Sequence, residues 1–129
     1  MAILVTRSET QLGLTTSFQA MDNLGGSSVS SSFTVPTNVS SIKQVAIAVT
    51  ADGAEETVPM VKISGNAMQA GDAVMTGSAI VNAGSATGTA SNFTSYDTDL
   101  RVQSGNSCEI AIAGTDAATV SAAVTLTFA

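Results

Sequence analysis

The sequence lacks histidine and tryptophan, and its 129 residues include one cysteine, one tyrosine and four basic residues. Without histidine, the chain has neither the commonest general base nor the commonest zinc ligand. A single cysteine, Cys108, excludes an internal disulfide, and its alternating surroundings predict a small buried side chain. Few aromatic rings argue against a carbohydrate-binding surface, because sugars stack on rings. We therefore predict no enzymatic activity and no catalytic, cofactor-binding or metal-binding residues.

Positive charge is also scarce. The four basic residues, Arg7, Lys43, Lys62 and Arg101, are scattered along a chain whose formal net charge is -6. Nucleic-acid and anionic-membrane binding both need clustered cations, so we predict that the protein binds neither. No segment has the length of a membrane span, and the N-terminal residues do not form a signal peptide. We therefore expect synthesis in a cytoplasm.

The sequence is rich in apolar residues that alternate with small polar ones, the pattern of half-buried β-strands. The clearest case is "ATVSAAVTLTFA", residues 118–129. One face of this predicted strand is apolar and comprises Val120, Ala122, Val124, Leu126 and Phe128. The other face is small and mostly hydroxylated, with Thr119, Ser121, Ala123, Thr125 and Thr127.

A second alternating segment lies in residues 43–50. Lys43, Val45, Ile47 and Val49 share one predicted face, while the opposite face is small and nearly flat. That opposite face comprises Gln44, Ala46, Ala48 and Thr50. A flat face of small side chains suits close approach by another sheet or subunit.

Turn signals rich in Gly, Asn, Asp and Pro recur about every ten residues, and helical spacing is absent. We predict an all-β fold, a single-domain, jelly-roll-like β-sandwich of about eight to ten short antiparallel strands spanning residues 1–129. Residues 1–11 form an N-terminal arm or an edge strand, and further strands are expected over 12–20 and 72–82. The predicted core comprises Val45, Ile47, Val61, Ile63, Ile110, Ile112, Val124 and Leu126.

Two groups of carboxylates lie in predicted turns. Asp52, Glu55 and Glu56 form one group, and Asp97 with Asp99 form the other. Neither has the graded spacing of a calcium loop, so we interpret both as solvated side chains and leave cation binding as the alternative.

The stretch "SFTVPTNVSSIKQVAIAVTADG" followed by "VPMVKISGNAM", within residues 32–68, resembles small β-sandwich virion structural proteins of tailed bacteriophages. Capsid decoration (cement) proteins are the most similar type. The resemblance implies a jelly-roll-like fold, self-association, often as trimers, and contact with a capsid shell. It implies no functional residues, because such proteins have no active site.

Our hypothesis from the sequence is a non-enzymatic virion structural protein, either a capsid decoration subunit or a minor capsid subunit. Its expected partners are copies of itself, with a trimer favoured, and the major capsid protein or another virion protein; its expected location is the virion. The predicted subunit-contact face comprises Thr119, Ser121, Thr125 and Thr127. An extracellular fibre, adhesin or pilus-like subunit is the alternative, and an enzyme or ligand-binding barrel ranks third.

Overall fold

The computed structural model describes residues 2–21, 23–24, 27–28, 31–51, 56–77, 80–81 and 91–129. All regular elements in these parts of the chain are β-strands, thirteen in number. They are β1 (Ile3–Leu14), β2 (Gln19–Ala20), β3 (Asn23–Leu24), β4 (Ser27–Ser28), β5 (Ser32–Thr34), β6 (Ser41–Ala51), β7 (Glu56–Thr57), β8 (Pro59–Ser64), β9 (Ala73–Thr76), β10 (Ile80–Val81), β11 (Ser91–Arg101), β12 (Ser107–Gly114) and β13 (Ala118–Phe128).

The strands form two main antiparallel sheets. The first sheet has four strands in the order β1-β13-β6-β11. In the second sheet, β12 pairs on one side with β2 and β5 and on the other with β8, which in turn pairs with β9. Two small pairs, β7 with β10 and β3 with β4, complete the described strands.

The order of pairing identifies the topology. The first strand pairs with the last, β5 pairs with β12, β6 pairs with β11, and β8 pairs with β9. Successive pairs alternate between the two sheets, as in a long hairpin rolled up on itself. This is the jelly-roll arrangement of two packed antiparallel sheets. The prediction of an all-β sandwich is confirmed, and the predicted strand count matches the eight strands that are longer than two residues.

The core lies between the two sheets and consists largely of the side chains that the alternation assigned to it. All eight predicted core residues are buried, with exposures of 0% or 1%. At one side of the sandwich, the rings of Phe33 and Phe128 meet edge to face, with centroids 6.1 Å apart. The guanidinium of Arg7 lies 5.2 Å from the centroid of Phe33. Aromatic packing thus supplements a core otherwise built from small aliphatic residues.

The prediction that Lys43 shares the core face of its strand is wrong. In the pairing of β13 with β6, Thr127 faces Gln44 and Phe128 faces Ile42, so Lys43 has no partner in this register. This bulge shifts the alternation by one residue, which turns Ile42 into the core and leaves Lys43 exposed.

Three other strand predictions need correction. The predicted strand over 12–20 is not continuous, because β1 extends from Ile3 to Leu14 as an edge strand and the next strand is β2. The predicted strand over 72–82 is divided into β9 and β10, and Val74 is 55% exposed on edge strand β9. The segment 91–97, to which the sequence analysis assigned no strand, belongs to β11.

Candidate interaction face

The surface of the first sheet that points away from the core is the candidate site, and we call it the outer face. Outside the bulges of β1, β6 and β11, alternation places every second described side chain of this sheet on the outer face, and the side chains between them point toward the core. Its residues are Leu4, Thr6 and Ser8 on β1; Thr119, Ser121, Ala123, Thr125 and Thr127 on β13; Gln44, Ala46, Ala48 and Thr50 on β6; and Phe93, Ser95 and Asp97 on β11.

The outer face unites two segments that are far apart in the sequence. The predicted contact residues on β13 stand beside the small face that was predicted for residues 43–50, because β13 and β6 are paired neighbours. Thr125 faces Ala46, and Ser121 faces Thr50. The two small faces therefore form one continuous surface at the centre of the sheet.

Hydroxyl groups on this surface also bond to one another. Thr6 on β1 and Thr125 on β13 face each other, and their Oγ1 atoms are 2.9 Å apart in a hydrogen bond. This bond holds the two threonine side chains in fixed positions, so little conformational entropy is left for them to lose on contact with a partner.

Charge is nearly absent from the outer face. Among the residues named above, Asp97 at one corner is the single ionisable side chain, and Glu9 on β1 lies beside them in the lining of a shallow depression. At the margin, the Lys43 Nζ lies 2.8 Å from the Asp99 Oδ1 in an exposed ion pair. The hydrogen bond from Lys43, together with its positive charge, lowers the pKa of the Asp99 carboxyl. Asp99 is therefore ionised and paired within its own chain.

Two large apolar side chains lie at opposite edges of the outer face. Leu4 on edge strand β1 is 65% exposed, and Phe93 on edge strand β11 is 68% exposed. Three strand spacings separate the two edges, roughly 14 Å at about 4.8 Å each. Neither residue was predicted from the sequence to lie on this face. In the sequence, Phe93 stands between Asn92 and Thr94. In the structure these two polar residues are partly buried, and alternation places Phe93 on the opposite face of the strand.

The described residues carry few other reactive groups. They contain no group of three or more side chains able to hold a metal ion, and no helix that could cross a membrane. Burial raises the pKa of Cys108 to about 11, so its thiol is protonated and unreactive at neutral pH. Of the first carboxylate group, Asp52 and Glu55 lie outside the described residues, and Glu56 is exposed.

We predict no retention of the protein on DNA or RNA at physiological salt. Its four basic residues include Lys43, which is paired with Asp99, and Lys62, whose Nζ lies 5.0 Å from the centroid of the Phe18 ring. Such cations cannot neutralise a run of phosphates. A filter-binding assay with duplex DNA and single-stranded RNA tests this, and retention that weakens with added salt would contradict it.

The fold defines the chain as a jelly-roll β-sandwich, and the chain is similar to several solved structures. A chain of the T13 IBDV viral particle aligns over 98% of this chain and 31% of its own length, with 13% identity and a TM-score of 0.53. The globular domain of zebrafish complement 1qA protein aligns over 98% and 94%, with 13% identity and a TM-score of 0.49. A cyanophage Pam1 capsid chain aligns over 98% and 83%, with 13% identity and a TM-score of 0.43.

No family model matches the sequence, and no curated protein matches it significantly. The first of the structural likenesses shows a shared fold. At such low identity, none of them shows a shared function.

Proposed function

We propose that this protein is a non-enzymatic structural subunit of a virion, a capsid decoration (cement) or minor capsid subunit. It acts by associating with copies of itself and by contacting the capsid shell. The observation that carries the proposal is the outer face, a flat surface of small side chains with few ionisable groups, Glu9 and Asp97 on its edge strands, and an exposed apolar residue at either edge.

The physical chemistry of this face favours contact with another surface over binding of a small molecule. Alanine, serine and threonine allow two backbones to approach closely, and they have little side-chain entropy to lose. Copies with a net charge of -6 repel one another, so a stable self-contact must be made where few charges meet. The outer face satisfies this condition.

The fold and the sequence support the virion assignment together. The jelly-roll sandwich is a fold that this chain shares with a protein of a viral particle. Residues 32–68, which contain β5, β6 and β8, carry the resemblance to phage decoration proteins. The expectation of a trimer comes from that resemblance.

Native mass spectrometry over a range of micromolar concentrations tests self-association. We expect a homo-oligomer, with the trimer at about 38 kDa, three times the 12.8 kDa of one chain. Co-sedimentation with phage capsids that lack decoration then tests shell binding, and we expect saturable binding. A protein that stays monomeric at high micromolar concentration and does not sediment with any capsid would contradict the proposal.

The same experiments separate the virion assignment from its alternative. A fibre or pilus-like subunit would polymerise into filaments visible by negative-stain electron microscopy and would not bind capsids. That outcome would contradict the virion assignment while leaving self-association intact.

A further inference from the structure

The outer face holds a shallow depression at the same position along the strand direction as Phe93. It is lined by Ser8 and Glu9 on β1, Ser121, Ala122 and Ala123 on β13, and Ala48 and Thr50 on β6. Small side chains on three neighbouring strands produce it, because none of them is long enough to cover the sheet backbone.

Phe93 stands beside this depression but does not fill it. Phe93 faces Ala48 across the β11–β6 pair, Ala48 faces Ala123, and Ala123 faces Ser8, so these four residues form one row across the sheet. The Phe93 side chain is 68% exposed and projects from the edge strand. Each copy thus carries one projecting ring and one shallow depression at the same level.

We propose that Phe93 of one copy occupies the depression of the next copy and anchors the self-contact. This inference rests on the proposed self-association. A rotation about an axis parallel to the strands leaves the position of every residue along the strand direction unchanged. It therefore brings Phe93 of one copy opposite the row that contains Ser8 and Ala123 in another copy. The rule holds for a two-fold contact across the face and for a closed ring of three copies, since each copy offers one ring and one depression.

The size and charge of the face fit a second copy as the occupant. Four strands by nine residues cover about 600 Å² in projection, comparable to the roughly 800 Å² per partner of a standard interface. An aromatic ring in a site lined by small side chains is the usual kind of anchor in such interfaces. The row from Phe93 to Ser8 contains no ionisable residue, and Glu9 is the one ionisable residue in the lining of the depression, so few charges meet where two chains of charge -6 make this contact.

The first test is Phe93→Ala, with Leu4→Ala as the matched control. Leu4 is equally exposed on the same face but lies two rows away at the other edge. We expect Phe93→Ala to raise the dissociation constant of the oligomer at least about 10-fold, and Leu4→Ala to raise it less than about 3-fold. Analytical ultracentrifugation measures both, and thermal unfolding at concentrations where the proteins are monomeric should stay unchanged because neither side chain is buried.

The second test is a double-mutant cycle with Ala123→Leu, which fills the depression. Alone, Ala123→Leu should weaken association because it excludes the ring. Combined with Phe93→Ala, it should weaken association less than the product of the two single effects, because the leucine then fills the space that the ring leaves. Equal effects of Phe93→Ala and Leu4→Ala, or independent effects in the cycle, would overturn the anchor while leaving self-association standing. A monomeric wild-type protein would overturn both.

Discussion

Replacing Ile112 by alanine should lower the free energy of unfolding by about 2–5 kcal/mol, the usual cost of a large-to-small change in a packed core. Ile112 is completely buried on β12, between Val61 of β8 and Gln19 of β2. Because β12 is paired on both sides, its neighbours can collapse only partly around the cavity. Urea denaturation monitored by circular dichroism measures the change.

Val74→Ala is the matched control for this substitution. It also removes aliphatic carbon from a β-branched residue of the second sheet, but Val74 is 55% exposed on the edge strand β9. Its cost should stay within about 0.5 kcal/mol. If Ile112→Ala were as mild as Val74→Ala, the assignment of Ile112 to the core would be wrong.

The double substitution of Ser121→Lys and Thr125→Lys should abolish assembly at concentrations where the wild-type protein is oligomeric. Both residues lie on the outer face at the centre of the sheet. Lysine there adds a long side chain to a flat surface, and contact with a partner would bury its charge. The monomer should remain folded, because both positions point away from the core.

Ser32→Lys with Thr34→Lys is the control of equal charge. Both residues are exposed on β5, in the second sheet. Size-exclusion chromatography with light scattering should show an oligomer for this control and a monomer for the Ser121/Thr125 variant. Loss of assembly in both variants, or in neither, would show that the outer face is not the contact surface.

The sequence was sufficient to predict eight of the side chains that form the core. In β13, Val124 and Leu126 face inward and Thr125 faces outward, as their alternation predicted. The reason is local: successive side chains of a strand point to opposite faces, so the pattern divides them regardless of which strand lies alongside. The all-β class and the flat, small character of the two outward segments followed from the same periodicity.

Only the tertiary structure decided how these segments meet. The partners of β13 are β1, from the opposite end of the chain, and β6, and no local pattern encodes such pairings. The bulge at Lys43 likewise arises from the pairing of two strands, so it could not be read from either one alone. In the sequence, Leu4 lies in the apolar run of residues 2–5, and Phe93 lies between two polar residues. They border one surface because the jelly roll makes β1 and β11 the two edges of the same sheet, and that arrangement depends on long-range strand pairing rather than on local alternation.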